Sequence, residues 1–210
     1  MAPNGNVWLQ IPLQDYEAHM ALPAVAQASM IADQLEKLLA EEAPDSVAVI
    51  GCSGGNGFDR LPEGSSCRVI GVDINPGYLE AARARYQAAL PGLELYTADI
   101  QDDRQIFTPV RLVYAALIFE YLDIPSALRT LRRHCAPAGL LAVLLQKPHR
   151  NLAAVSDSGY ASLMKLAPVM RLVEDEELAD AARQVGFNLE SVASIVTPAG
   201  KEFSLQRYRA

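Results

Sequence analysis

From residue 45 onward, short apolar runs alternate with stretches in which apolar residues recur every three or four positions. The runs predict buried parallel strands, because strands that are covered on both faces are apolar throughout. The amphipathic stretches predict helices that cover those faces. The predicted strands are 47–52, 69–73, 93–98, 112–119 and 140–146, followed by 188–196 and 202–208 around a turn at 197–200. This alternation predicts an α/β fold, a three-layer sandwich with a mostly parallel sheet and one closing antiparallel strand.

Polar residues mark the ends of the predicted helices. Asn75 with Pro76 and Asp123 with Pro125 suit helix starts, and the acidic turn 174–177 opens a helix that Gly186 closes. The helix after Asp123 is predicted to stop near Pro137 and Gly139. Ahead of the first strand, helices are predicted over 15–20 and 24–42. We therefore expect an N-terminal helical cap over residues 1–44 on a main domain over 45–210.

Composition narrows the classes of partner. Half of the chain is apolar, and 18 basic against 25 acidic residues give a net charge of -7, which disfavours nucleic acid and anionic membranes. The longest apolar run has eight residues, against the roughly 20 that span a bilayer. Three scattered cysteines indicate neither disulfides nor a metal site. We expect a cytoplasmic protein with a small-molecule substrate, no bound metal, and a homodimer as an open alternative.

A glycine-rich segment, Gly51 to Gly57 (GCSGGNG), follows the first strand directly. Glycines let a backbone turn sharply and approach a ligand, although the same pattern also occurs in plain tight turns. Asp73 ends the second strand, where a carboxylate can accept both ribose hydroxyls of a nucleoside, and Asp99 follows the third. A helix cap or a surface acid is the alternative for Asp73. Together, the loop and the two acids predict a nucleoside site at the carboxyl ends of adjacent strands.

These segments resemble the successive motifs of class I S-adenosylmethionine-dependent methyltransferases: VAVIGCSGGNG, VIGVDINPGYLEAARARY, LYTADIQD, LVYAALIFEYLD and LRRHCAPAGLLAVLLQ. The resemblance implies a seven-stranded sheet in the order 3-2-1-4-5-7-6 and transfer of a methyl group from S-adenosylmethionine, leaving S-adenosylhomocysteine. It also implies the cofactor contacts: Gly51, Cys52, Ser53, Gly55 and Gly57 around the methionine part, Asp73 on the ribose, Ile74, Asp99 and Ile100 around the adenine, and Ala115 and Ala116 near the sulfonium.

Three positions depart from the family pattern. Val49 and Arg111 stand where the family usually has acids, and Ser53 stands where it usually has glycine. A serine suits that position if its φ is negative or its hydroxyl makes a useful bond. These departures keep open a non-catalytic protein that binds the cofactor. A nicotinamide oxidoreductase is the other alternative, but neither register of GxGxxG fits the loop.

Methyl transfer needs alignment and exclusion of water more than an elaborate catalytic group. The resemblance places the N-terminal piece and the end of the fourth strand beside the acceptor, so Tyr16, His19 and Tyr114 are the substrate-side candidates. Segment 151–165 is predicted to cover the acceptor site. His134 is expected on a solvated helix face. His149 is open between pocket and loop, and Glu120 with Tyr121 is open between facing the acceptor and anchoring the next helix.

Overall fold

The computed structural model describes residues 5–61, 64 and 66–210. Its sheet has seven strands in the order β3-β2-β1-β4-β5-β7-β6, which confirms the predicted order. β7 pairs antiparallel with both β5 and β6, while the pairs from β3 to β5 are parallel. The strands are β1 (Ser46–Ile50), β2 (Arg68–Asp73), β3 (Leu93–Thr97), β4 (Val110–Ala116), β5 (Cys135–Gln146), β6 (Asn188–Val196) and β7 (Glu202–Arg209).

Helices lie on both faces of the sheet. They are α1 (Leu13–Ala21), α2 (Gln27–Glu42), α3 (Pro76–Tyr86), α4 (Ile124–His134) and α5 (Asp175–Gln184). Asn75 and Asp123 cap α3 and α4 as predicted, each accepting a hydrogen bond from a first-turn amide. None of the helices among the described residues is both long and apolar enough to cross a membrane.

The core has two layers, because successive residues of a strand point to opposite faces of the sheet. In β1, Ala48 and Ile50 pack with α4 and α5, whereas Val47 and Val49 pack with α2 and α3. Residues of α2 thus share one core layer with β1. The division of the chain at residue 45 stays a prediction.

Two boundaries around β4 and β5 differ from the sequence prediction. The apolar run 112–119 predicts one strand, but β4 ends at Ala116 because Leu117 has a φ of 56°, which turns the chain out of the sheet. The helix predicted to stop near Pro137 and Gly139 ends earlier, at His134. β5 then begins at Cys135, beside Val110 of β4.

Candidate functional site

A cavity of about 290 Å³ opens at the carboxyl ends of the parallel strands. This is where open α/β sheets bind their ligands. We call it the first cavity. The residues that line it after each strand are Gly51 and Ser53 after β1, Asp73 and Ile74 after β2, Ala98 to Ile100 after β3, and Ala116 to Ile118 around the end of β4.

Gly51 has to be glycine for two reasons. Its φ of 69° lies in the left-handed region, and a Cβ there would stand 2.5 Å from Cγ2 of Ile118. Its amide and that of Cys52 both donate to the carbonyl of Val72, at 2.8 and 3.1 Å. The loop is therefore bound to β2 and pressed against the end of β4.

Four of the predicted cofactor residues do not line this cavity. A Cβ on Gly55 would meet the ring of Tyr86, and one on Gly57 would meet Leu35, so these glycines let the loop pack against α3 and α2. The other two are fully buried in the core, Cys52 among the α2 and α3 layer and Ala115 among the α4 and α5 layer.

Asp73 presents a pre-oriented carboxylate to the first cavity. Its Oδ2 accepts a hydrogen bond from the Ser53 amide at 2.8 Å, and its Oδ1 accepts one from the Asn75 amide at 2.9 Å. Burial raises the pKa of Asp73 above its ordinary value, and these amides partly offset that effect. Each carboxylate oxygen can accept a further hydrogen bond, so the group can still receive two hydroxyls.

Ser53 differs from what the sequence led us to expect. Its φ is 52°, not negative, and its Oγ is buried without a hydrogen-bond partner among the described residues. The left-handed region is costly for a residue with a side chain, and so is a buried hydroxyl without a partner. This strained position lies on the wall of the first cavity.

Asp99 is half-buried at the end of β3. Its Oδ1 accepts hydrogen bonds from the backbone amide and the side-chain amide of Gln101, at 2.9 and 3.1 Å. The side-chain carbonyl of Gln101 in turn accepts from the Asp123 amide at 2.7 Å. Asp99 is thus held in place by the start of α4.

Aromatic rings from the N-terminal segment, residues 5–22, cover the first cavity. The Trp8 ring lies edge-on to Tyr16 and Tyr121, with centroids 5.7 and 5.1 Å apart, and Tyr16 stacks on Tyr78. The Trp8 carbonyl accepts a hydrogen bond from the Asn75 side chain at 3.0 Å. Sequence reasoning missed Trp8, because it stands outside every periodic stretch.

A second cavity of about 60 Å³ lies beside the first, and Trp8, Tyr16, Leu117 and Tyr121 belong to the walls of both. Its polar lining comes from His19, Gln27, Gln146 and Lys201. Sequence reasoning singled out His19 but neither glutamine nor Lys201. Segment 151–165 supplies Ala154, Val155 and Leu163 to the wall of this cavity, and its role as a cover of the acceptor site stays a prediction.

His19 is buried, and its Nδ1 lies 2.7 Å from Oγ of Ser158. Burial, and then the positive charge of Lys201, lower the pKa of His19, which favours its neutral form. Tyr16 behaves differently, since burial and the nearby Asp73 carboxylate raise the pKa of its phenol. Of the two, only His19 suits the acceptance of a proton near neutral pH.

Two other expectations about side chains change, and the open question about His149 is settled. Tyr114 does not line either cavity, because it is fully buried and its hydroxyl donates to the Ile31 carbonyl at 2.9 Å. His134 is not solvated. It is fully buried, and its Nε2 accepts a hydrogen bond from the Ile106 amide at 2.9 Å. His149 lies exposed in the loop after β5.

Glu120 and Tyr121 lie in different surroundings, although they are adjacent in the sequence. Tyr121 lines both cavities, whereas Glu120 is buried and its Oε1 accepts a hydrogen bond from the Gln146 amide at 2.8 Å. Its Oε2 has no partner among the described residues. Burial raises the pKa of this carboxyl to about 7.

Residues 47–139 match a family model described as a methyltransferase domain. This match covers less than half of the chain and shows that this part is similar to methyltransferase domains. The matched span includes β1 to β4 and the loops that follow them. Most residues that line the first cavity belong to this span.

Two curated relatives and one solved structure illustrate the likeness. A trans-aconitate 2-methyltransferase from Methylobacterium radiotolerans is 37% identical over 131 residues, which cover 56% of this chain and 46% of that protein. A ribosomal RNA small subunit methyltransferase H from Deinococcus radiodurans is 36% identical over 86 residues, 41% of this chain and 26% of that one. This chain therefore spans less than half the length of either relative.

The fold extends further than these sequence matches. The N-methyltransferase NodS from Bradyrhizobium japonicum, solved with S-adenosylhomocysteine, superposes with a TM-score of 0.66. The superposition covers 94% of this chain and 97% of that one, at 17% identity. At that identity the likeness concerns the fold alone.

The residues of the first cavity fit the cofactor chemically. The Asp73 carboxylate suits ribose hydroxyls, the unpartnered Ser53 hydroxyl suits a polar group at the methionine end, and the apolar side chains of Ile74 and Ile100 suit an adenine ring. Because Gly51 has no side chain, the backbone there can approach the cofactor closely.

Proposed function

We propose that this protein is an enzyme that transfers a methyl group from S-adenosylmethionine to a small-molecule acceptor (EC 2.1.1.-). The observation that carries this proposal is the Asp73 carboxylate, fixed by the Ser53 and Asn75 amides on the wall of the first cavity. The bound cofactor supplies a methyl group that its sulfonium activates for displacement.

In this proposal, each group of residues has a defined task. Asp73 holds the ribose, Asp99 and Ile100 hold the base, and Gly51 with Ser53 holds the methionine end. Trp8, Tyr16 and Tyr121 keep water from the reacting atoms, which in-line displacement requires. His19 accepts a proton where the acceptor must lose one, because burial and Lys201 keep it neutral.

The acceptor is proposed to be a small molecule on two grounds. One curated relative is named for trans-aconitate, and the net charge of -7 opposes binding to a nucleic-acid backbone, although the other relative is named for ribosomal RNA. The second cavity is small, which suits part of a metabolite. The homodimer and the cytoplasmic location stay predictions from the sequence.

Calorimetry with S-adenosylhomocysteine tests the proposal. We expect the wild type to bind it, and Asp73→Asn and Asp73→Ala to bind at least roughly tenfold more weakly, because a charge-assisted contact is lost. Asp180→Asn removes an exposed carboxylate of α5 and serves as the matched control. Circular dichroism verifies that each variant is folded.

The alternatives make different predictions in the same experiment. Absence of S-adenosylhomocysteine binding by the wild type contradicts the proposal, and preferential binding of NAD indicates an oxidoreductase. The departure at Ser53 favours a non-catalytic cofactor-binding protein as the second candidate. Methyl transfer to any acceptor in a metabolite screen excludes that candidate.

A further inference from the structure

The second cavity contains a buried cation without an anionic partner. Lys201 is only 5% exposed, and its Nζ donates one hydrogen bond, to the Ala154 carbonyl at 2.8 Å. Within the described part of the chain, no carboxylate lies within 4.0 Å of that Nζ, and no acidic side chain lines the cavity. An ammonium group has three donors, so two of them are available to a ligand.

Burial of such a charge is costly unless an anion compensates it. The structure itself shows the cost, because burial lowers the pKa of Lys201. Lys147, by contrast, lies 2.8 Å from Asp175 and is paired within the protein. The lack of an acidic partner therefore distinguishes Lys201, in this cavity, from Lys147.

Two further polar groups of the cavity have unused hydrogen-bonding capacity. The side-chain amide of Gln27 is buried and bonds to no described residue, and the Nε2 of His19 is likewise without a partner in the described ranges. These groups and Lys201 come from α1, α2 and the β6–β7 turn, three separate parts of the chain. Their convergence on one cavity indicates a binding site for a polar, negatively charged group.

We propose that the second cavity binds a carboxylate group of the methyl acceptor, with Lys201 as its charge partner and Gln27 as an additional donor. The acceptor is then a small carboxylic acid, an assignment that rests on the methyltransferase function proposed above. The single positive charge of Lys201 matches one carboxylate group better than a doubly charged group such as phosphate. The volume of about 60 Å³ is well above the roughly 10–15 Å³ of cavity volume that holds one water, so a three-atom carboxylate has room there.

The position of the cavity agrees with this role. It shares Trp8, Tyr16, Leu117 and Tyr121 with the first cavity, so a molecule anchored at Lys201 extends toward the shared wall. The end of β4 reaches that wall through Leu117. The carboxylate thereby holds the rest of the acceptor toward the methyl donor.

Succinate binding to the protein saturated with S-adenosylhomocysteine tests the proposal. We expect succinate to bind and to raise the melting temperature, while succinamide, its uncharged analogue, does neither. Lys201→Met keeps the aliphatic stem and removes the charge. We expect it to weaken succinate binding at least tenfold, to leave S-adenosylhomocysteine affinity within twofold, and to raise the melting temperature of the ligand-free protein.

Two variants serve as controls. Lys165→Met removes an exposed lysine that lines neither cavity, so it changes the net charge equally and is expected to bind succinate like the wild type. Lys201→Arg keeps the charge and is expected to bind succinate measurably. It preserves the test if Lys201→Met does not fold.

Each contrary outcome has a separate meaning. If the wild type binds S-adenosylhomocysteine but not succinate, or binds inorganic phosphate instead, the carboxylate site is overturned while the proposed function stands. If Lys201→Met is less stable and binds succinate normally, Lys201 only anchors segment 151–165. If S-adenosylhomocysteine itself does not bind, the proposed function fails first.

Discussion

Ser53 combines two unfavourable features, one in its backbone and one in its side chain. Its φ of 52° is unfavourable for a residue with a side chain, and its Oγ is buried without a described partner. Ser53 lies in the wall of the first cavity, the proposed cofactor site, and backbone strain is often found at such functional sites.

We therefore expect Ser53→Gly to stabilise the ligand-free protein by about 1 kcal/mol. Glycine adopts positive φ without strain and also removes the hydroxyl. Urea unfolding of both proteins measures the difference. For a chain of this length, the change corresponds to a rise in melting temperature of about 2–4 °C.

Ser53→Ala separates the two costs, because it removes the hydroxyl but retains a side chain at positive φ. We expect its stability to lie between those of the wild type and Ser53→Gly. Equal stabilities of the alanine and glycine variants would show that the positive φ carries no strain.

The sequence predicts the location of a site residue where that residue stands at the end of a recognisable strand. Asp73 ends a strand that is recognisable from its apolar run, so its position at the sheet edge follows from the sequence. Lys201 lies in a turn, and its direction depends on how β7 pairs with β5 and β6. No local pattern records that pairing, and Lys201 was therefore missed.

Among the elements, the N-terminal segment borders both cavities and is held by hydrogen bonds and an ion pair. The Tyr78 hydroxyl donates to the Ile11 carbonyl at 2.8 Å, and Glu17 forms an ion pair with Arg85 of α3. On its other side, Oδ2 of Asp15 accepts a hydrogen bond from Ser162 at 2.5 Å. Side chains of α3 and of segment 151–165 thus attach the N-terminal segment to the rest of the protein.

Tyr78→Phe is expected to increase local opening of residues 5–22. The change leaves the Ile11 carbonyl buried without its donor, which costs on the order of 1 kcal/mol and speeds amide exchange roughly fivefold where opening limits it. Hydrogen exchange measured by mass spectrometry on peptides from this segment tests the expectation.

Tyr86→Phe is the matched control on the same helix. The Tyr86 hydroxyl forms no hydrogen bond with the described residues, so its removal should leave exchange in the segment unchanged. Peptides from β1 and β4 should exchange at the wild-type rate in both variants. Faster exchange throughout the sheet would mean global destabilisation and contradict the local interpretation.

The elements themselves were mostly predictable, because β1, β2 and β3 are short apolar runs between helix signals. The end of β4 was not. Its apolar run continues to Phe119, and only the positive φ of Leu117, which depends on packing against the neighbouring strands, shows where pairing stops. The start of β5 could not be predicted either. Pro137 and Gly139 lie within the first five residues of this strand, and these residue types indicate a turn more often than a strand.

For the molecule as a whole, Glu120 links folding to pH. Its carboxyl is fully buried, and burial raises its pKa to about 7, against an ordinary value of 4.5. The folded protein therefore retains this proton between those pH values when the unfolded chain has released it. The stabilising contribution is present below pH 4.5 and is lost as the pH rises through about 7.

Glu120→Gln should abolish this contribution to the pH dependence. We expect its stability relative to the wild type to increase from pH 5 to pH 8, by on the order of 3 kcal/mol in total. Urea unfolding at several pH values measures this difference. Glu174→Gln, at an exposed position, is expected to follow the wild-type profile. A constant difference between Glu120→Gln and the wild type would contradict the assignment.

The wall that the two cavities share limits how the protein can diverge. A change in size at Trp8, Tyr16, Leu117 or Tyr121 alters the space in both cavities at once. Under the proposed function, recognition of the methyl donor and of the acceptor therefore cannot change independently at these positions. Residues on the far side, such as Gln27 and Lys201, border only the second cavity. Evolution of a new acceptor range is therefore least constrained at those far-side positions.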